Sequence, residues 1–391
     1  MNRPTLRLSP GQGRRLRAGS PWVFSNELVM KPEYRQMPAG DLVRIEGDDG
    51  TQFGTFMFNP RSLIAARLLD RDPTATIDVE WLRVRLGEAI GVRRRICDTP
   101  FHRLVHAEAD RLPGLVIDRY DDVAVLQANT AGMDRLTSSI VEALTSLLPL
   151  RAVVARNDSA ARRQEGLAEN VELSFGNDAQ AEVVEGGVRF AIDPLGGQKT
   201  GWFFDQRPNR DRVVALAQGA RVLDVFCHIG AFGLRCAAAG AREALLLDSS
   251  APALAQAEAI ASLNGIAPRV HVRRDDGFDA MAALVGEQFD VVVCDPPAFA
   301  PSRKDAEAGL RAYGRMARLA APLVAPGGFL FVASCSHHAP LEAWSAQIAV
   351  GLRRARREGR ILFTGGAGPD HPVHPHLPET AYLKTQLIQL F

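Results

Sequence analysis

From residue 186 onward, short apolar runs alternate with longer segments of helical period. The runs are "ARVLDVF", "EALLLD", "RVHVRR", "FDVVVCD", "GGFLFVAS", "RILFTG" and "TAYLKTQLIQL". Between most of them lie "AFGLRCAAAG", "APALAQAEAIASLNG", residues 305–321 and "PLEAWSAQIAVGLRRA". Strands joined through helices return parallel to one another, and a parallel sheet needs cover on both faces. The alternation therefore restricts this half of the chain to a doubly wound α/β sheet. The last run follows its predecessor without room for a helix, so it is expected to enter antiparallel.

The rest of the chain reads differently and divides the protein into three parts, 1–75, 76–185 and 186–391. In the first, "DLVRIEGDDGTQFGTFMF" carries two alternating runs across a Gly-containing turn, a hairpin pattern, and "NPRSLIAARLL" adds a further strand. In the second, "DVEWLRVRLGEAIGVRRRI" predicts a helix with Asp78 as N-cap, and "GLVIDRYDDVAVLQANT" predicts a hairpin turning at Asp121-Asp122. "MDRLTSSIVEALTSLL" predicts one amphipathic helix and "AVVARND" one strand. The first part is a β-rich module and the second a small α/β unit.

Charge distribution matters more than the net charge of +1. Lysine occurs four times among 46 basic residues, a bias that a GC-rich genome explains. Clustering is separate from that bias: Arg3, Arg7, Arg14, Arg15 and Arg17 precede the first acidic residue, and Arg93, Arg94 and Arg95 are consecutive. Such patches bind phosphates even in a near-neutral chain. Arg14 and Arg15 with Trp22 and Phe24 pair basic and aromatic side chains, as single-stranded nucleic-acid surfaces do; core packing is the plainer reading of the two rings. No apolar run approaches the ~20 residues of a membrane span, and the N-terminus lacks an apolar secretory core. Five cysteines without framework spacing suit a reducing compartment, so a cytoplasmic protein is expected. His102 and His106 lie four apart with no further ligand pattern, and no metal site is expected.

The first strand-to-helix junction, "VLDVFCHIGAFG", has the marks of a ligand loop. Gly230 and Gly233 let backbone approach a ligand at a helix N-terminus. Cys227 and His228 break the dinucleotide fingerprint, so a pyrophosphate cradle is not indicated. Acids recur at the strand ends: Asp224, Asp248 followed by Ser249, Asp276 followed by Gly277, and Asp295. Ligands of open α/β sheets collect at that edge, so the four acids are expected to face one crevice. Asp248 suits ribose hydroxyls, Asp276 an adenine amine, and Cys227 backbone contact. S-adenosylmethionine fits better than NAD, and seven strands with an antiparallel ending fit a methyltransferase sheet better than a dehydrogenase sheet.

Two motifs bear on chemistry. In "CDPPAF" the prolines hold Asp295 rigidly, and Phe299 is placed to stack on a flipped base. That motif alone suits N-methylation of a purine equally well. "SCSHH" places Cys335 at the end of the fifth strand, beside the Asp295 strand in the usual order. A thiolate there activates carbon 5 of cytosine by bonding to carbon 6. Ser334, Ser336, His337 and the helix starting near Pro340 are expected to stabilise it. An RNA guanine methyltransferase without a covalent step, and an RNA-binding ribosome assembly factor with a decayed site, stand as alternatives.

"GSPWVFSNEL", "EADRLPGLVIDRY", "GQKTGWFFDQRPNR", "DVFCHIGAFG", "DPPAF", "SCSHH" and "DHPVHPHLPETAYLK" together resemble bacterial 23S ribosomal RNA cytosine-C5 methyltransferases with an N-terminal PUA domain. The resemblance spans nearly the whole chain. It implies an N-terminal PUA domain that binds RNA, a central α/β domain and a C-terminal Rossmann-like methyltransferase using S-adenosylmethionine on large-subunit rRNA. It further implies that Lys199, Thr200, Gly201 and Gln206 close over the cofactor and that Cys335 is the nucleophile. Ser20 and Gln198 stand where relatives often carry histidine.

Overall fold

The computed structural model describes residues 3–196 and 201–391, in two compact units. The first comprises residues up to 182 with 192–204 and 369–378; the second comprises 183–191, 205–368 and 379–391. Lys199 and Thr200 lie outside the described residues.

The first unit holds two five-stranded sheets. One pairs Asp41–Glu46 with Gln52–Phe58 and Ala66–Asp70, with Thr5–Arg7 and Trp22–Val23 at its edges. Alternate residues of these strands, among them Leu6, Val43, Ile45, Phe56 and Phe58, fill its core. The other runs from Phe101–His106 through Leu115–Tyr120, Val123–Ala128 and Ala152–Asn157 to Asn170–Phe175. Helix Val79–Ile96 packs on it through Leu82, Leu86 and Ile90, and Asp78 accepts from Trp81 N at 2.9 Å as its N-cap. The single helix expected over 133–148 is two, Ala131–Arg135 and Thr137–Leu147. They part at Leu136, whose amide closes a tighter turn onto Met133 O.

A hairpin Ala181–Glu185/Val188–Ile192, of which residues 183–191 belong to the second unit, precedes helix α1 (Arg207–Val214). A seven-stranded sheet follows: β1 (Arg221–Val225), β2 (Glu243–Asp248), β3 (Val270–Arg274), β4 (Phe289–Cys294), β5 (Val324–Ser334), β6 (Gly359–Gly365) and β7 (Lys384–Leu390). Helices α2 (Ala231–Ala238), α3 (Ala251–Leu263), α4 (Gly277–Ala283), α5 (Ala306–Ala320) and α6 (Leu341–Arg354) connect them. The order is β3-β2-β1-β4-β5-β7-β6, and β7 alone runs antiparallel, as expected. β1, β4 and β5 are built mostly of buried apolar residues because both faces are covered. The order reverses between β1 and β4, so the crevice at their carboxyl ends is the ligand position of this topology. Among the described residues no helix is long and apolar enough to cross a membrane.

Candidate active site

Register sets the level at which each side chain leaves the sheet. Val225 pairs with Leu247 and with Cys294, and Cys294 pairs with Val332. Asp248 and Asp295 therefore leave the edge at one level, Asp224 lies a step inside it, and Cys335 follows the last residue of β5.

The β1–α2 loop is held by unusual backbone. Phe226 (φ 63°), His228 (φ 53°) and Gly230 (φ 78°) all occupy the left-handed region. Two non-glycine residues there cost energy and persist only when the surroundings enforce them. Asp248 does much of the enforcing: its Oδ2 accepts from His228 N at 2.8 Å and its Oδ1 from Ser250 N at 2.8 Å. Gly233 lets α2 lie against β2, since a Cβ there would meet Leu246 at 2.2 Å. Gly277 does the same under the Phe226 ring, at 2.3 Å. Cys227 is buried and its thiol is pushed far up by burial and then by Asp224 and Asp248. Its backbone closes the loop, bonding to Leu247 O and Gly230 N.

The four strand-end acids are held in different ways. Asp224 is buried beneath the loop, with Oδ2 accepting from Gly233 N at 2.9 Å and Oδ1 without a hydrogen-bond partner. Burial, reinforced by Asp295 and Asp248, pushes its carboxyl up to about 7. Asp276 Oδ1 is the N-cap of α4, accepting from Phe278 N and Asp279 N, so that oxygen is turned to the helix. Ser249 is exposed beside Asp248. Asp295 Oδ2 accepts from Gln206 Nε2 at 2.9 Å. Gln206 is itself aimed by Asn209, whose Nδ2 donates to Gln206 Oε1 at 2.7 Å and to Gly366 O at 3.0 Å. Thr385 Oγ1 of β7 donates to Asn209 Oδ1 at 3.2 Å, which closes the chain of amides. The resemblance assigns Gln206 to the cofactor; here its amide engages the Asp-Pro-Pro carboxylate.

The β5 loop is held by side chains. Ser334 Oγ donates to Tyr313 OH at 2.8 Å, Tyr313 OH and Ser336 Oγ are 2.9 Å apart, and Ser336 Oγ accepts from Ala300 N at 3.1 Å. All three side chains are buried. The serines expected to stabilise a thiolate instead bind the Cys335 loop to α5 and to the end of "DPPAF". Cys335 between them is partly exposed. Lys384 of β7, paired across the ladder with Ser334, sends its Nζ to Ser336 O at 2.7 Å and Tyr382 O at 2.8 Å. Burial pushes His337 below its ordinary value, and the neighbouring Lys384 and His338 act the same way.

The other cysteines of this unit are unsuited to chemistry. Cys236 and Cys294 are buried, and burial pushes the Cys236 thiol up to about 12 and Cys294 higher still. Phe299 is half-buried in an aromatic cluster with Tyr313 (4.8 Å between centroids), Phe278 (5.6 Å) and Phe226 (6.3 Å). Tyr313, Asn209 and Lys384 had no role in the sequence reading. The signals available were the motifs "GQKTGWFFDQRPNR" and "DHPVHPHLPETAYLK", which contain Asn209 and Lys384, and the scarcity of lysine.

Residues 135–346 match the family model of S-adenosylmethionine-dependent methyltransferases, and residues 6–71 match a PUA-like domain. Two relatives, from Shewanella denitrificans and Aeromonas hydrophila, carry the name ribosomal RNA large subunit methyltransferase I. Each is 34% identical; the first match covers 97% of both chains, the second 98% of this chain and 99% of the relative. The chain belongs to the S-adenosylmethionine-dependent methyltransferases. A SAM-dependent methyltransferase from Streptococcus mutans has the same fold, with TM-score 0.82 at 18% identity over 99% of this chain and 100% of that one. A methyltransferase solved with SAH overlays as well, with TM-score 0.83 at 18% identity over 100% of both chains. The topology of this methyltransferase thus agrees with the α/β reading of its sequence.

The cradle fits the cofactor of this methyltransferase. A buried carboxylate oxygen without a partner, a glycine N-cap in left-handed conformation and an acid at the end of β2 converge on one loop. Of the residues expected at RNA, Phe299 belongs to this unit, whereas Arg14, Arg15 and Trp22 belong to the other compact unit. There Trp22 Nε1 donates to Glu108 at 2.7 Å and Arg67 lies over its ring at 5.5 Å, so its polar edge is committed internally. Arg14 is exposed, and the Arg15 guanidinium lies 5.1 Å from the Phe24 centroid. The clusters are less basic than they read: Arg7 pairs with Glu46, Arg17 with Asp48, and buried Arg93 with Asp110. His102 and His106 are structural, and burial with Arg103 nearby holds His106 down at about 2. Gly201 packs against Ile192 in the 192–204 segment of the first unit.

Proposed function

We propose that the chain methylates carbon 5 of a cytosine in large-subunit ribosomal RNA through a transient bond between Cys335 and carbon 6. The observation that carries this reading is the partly exposed thiol directly after β5, on the strand next to that of Asp295. Its flanking serines are spent on holding it there. Three of the five cysteines are buried, and the other partly exposed one, Cys97, lies in the first unit. The relatives' name supports rRNA as the substrate, and the PUA-like match supports RNA contact through the N-terminal sheet. Ribosome assembly places such an enzyme in the cytoplasm.

Asp224, Cys227, Gly230, Asp248, Ser249, Asp276 and Gly277 are proposed to hold S-adenosylmethionine, which supplies an electrophilic methyl group when bound. Lys199, Thr200 and Gly201 are assigned there by resemblance alone. The Cys335 thiolate adds to carbon 6, and the carbon 5–carbon 6 double bond opens to leave carbon 5 nucleophilic. Asp295, in its protonated form, donates to N3 and accepts from N4, which offsets the negative charge that the addition places on the ring, and Gln206 holds its Oδ2 in place. Once carbon 5 carries the methyl group, loss of its proton restores the double bond and expels the thiolate. Phe299 packs against the base, and Arg14, Arg15 and Trp22 lie on the PUA-like surface proposed to carry RNA. The test is methylation of total RNA by the purified chain with labelled cofactor, followed by nucleoside analysis. Labelled 5-methylcytidine is expected; label in a methylated guanosine overturns the proposal.

A further inference from the structure

We infer that Lys384 is a positioning residue that presents Cys335 as a thiolate, its ammonium fixed beside the sulfur by two backbone carbonyls. The inference rests on the proposed role of Cys335, but it can fail separately.

Three observations carry it. The antiparallel ladder places Lys384 opposite Ser334, one residue before the cysteine. Its Nζ donates to Ser336 O, one residue after the cysteine, and to Tyr382 O, which uses two of its three donors. Lys384 therefore meets the loop on both sides of Cys335, through its backbone at Ser334 and through its ammonium at Ser336 O, and the residue is only 8% exposed. A lysine with most of its stem buried is expensive unless its charge is used, since desolvation disfavours the cation. Burial does push Lys384 below its ordinary value, and Cys335 is the charge that acts in the opposite sense. Tyr313 responds to the same thiolate.

Among the described residues, Lys384 on β7 and Tyr313 on α5 feel the charge of Cys335, and His337 and His338 follow it in the loop. Tyr313 is neutral, its hydroxyl occupied by both serines and its ionisation pushed further up by burial. His337 is pushed toward its neutral form. Lys384 is thus the buried cation of the set. The thiol proton goes to solvent and not to the lysine, and the ammonium lowers the pH at which it leaves. A free thiol near pKa ~8.5 is only about 3% ionised at pH 7, so a one-unit shift raises the reactive fraction nearly tenfold.

The test uses the full chain without RNA. The rate of iodoacetamide alkylation at Cys335, read by peptide mass, is followed from pH 5 to 10 in wild type, Lys384→Met and Lys384→Arg. Cofactor affinity is measured in parallel to show that each variant keeps its fold. Wild type is expected to have a midpoint below ~8.5. Lys384→Met should raise it by about one unit and slow alkylation at pH 7 about tenfold, whereas Lys384→Arg should recover at least half of the shift. Equal midpoints in wild type and Lys384→Met overturn the inference, as does a Lys384→Arg midpoint equal to that of Lys384→Met. A wild-type midpoint at or above ~8.5 overturns it even if neither variant folds. Retained turnover in Cys335→Ala would instead defeat the proposed function, and the alkylation profiles would still decide the role of the lysine.

Discussion

The loops after β1 and β5 leave the same edge of one sheet, but they are held by different means. In the first, main-chain amides bind carboxylates: Gly233 N on Asp224, and His228 N and Ser250 N on Asp248. Its shape comes from left-handed backbone, and side-chain identity matters mainly at glycines and acids. In the second, hydroxyls and an ammonium from α5 and β7 bind each other and the loop. A backbone-built loop suits a bound cofactor, whose polar groups meet fixed dipoles. A side-chain-built loop suits a nucleophile, whose reactivity depends on the charges around it.

If this division holds, substitutions in the second loop should remove chemistry and spare cofactor binding. The largest effect is expected from Cys335→Ala. Methyl transfer to RNA should fall by about 10⁴-fold or more, with cofactor affinity within about twofold of wild type by calorimetry. Turnover within tenfold of wild type would end the comparison, because the β5 loop would then have no chemical role. Asp295→Asn comes next and should slow single-turnover transfer by about 10²-fold or more, as for loss of a preorganised electrostatic group. The replacement amide still accepts from Gln206, so the fold should persist; an unchanged rate would remove Asp295 from the chemistry.

Tyr313→Phe sharpens the contrast further. It leaves the buried Ser334 and Ser336 hydroxyls short of a partner, so urea denaturation should show a loss of roughly 1–3 kcal/mol. Turnover should fall more than cofactor affinity does. Equal losses in both would mean that the two loops are not separately supported.

The smallest effect is a pH dependence belonging to the first loop. The folded-state carboxyl of Asp224, at about 7, lies above its unfolded value, so the folded cofactor-free chain binds this proton more tightly than the unfolded chain. The resulting stability is complete below an unfolded pKa near ~3.9, declines as pH rises, and is gone above about 7. Glu185 works in another window. Three arginines, led by Arg210, hold it down at about 2 against burial, so its stabilisation is lost only in acid, as pH falls through about 2. Thermal melts of the cofactor-free chain should therefore fall between pH 5 and 8, and Asp224→Asn should flatten that slope. An equal slope in the variant would assign it to other groups.

Much of this was legible beforehand, for identifiable reasons. Strand–helix alternation, the antiparallel final strand, the Gly230 loop and the acid after β2 all depend on short-range pattern. The failures are equally specific. Ser334 and Ser336 were read as thiolate partners, yet a tyrosine from another helix takes both hydroxyls. Arg93 was read as part of a phosphate-binding knot, yet it is buried on Asp110.

By itself, then, the order of residues determined the strand–helix alternation, the antiparallel ending and the place of the Cys335 thiol at the end of a strand, since periodicity and strand-end spacing act within about one helix or strand. Only the tertiary structure decided what surrounds that thiol. Lys384 reaches the Ser336 carbonyl from 48 residues away, and Asn209 meets Thr385 across 176. The reason is physical: inserting β7 between β5 and β6 sets a register, and that register selects which distant side chains become neighbours.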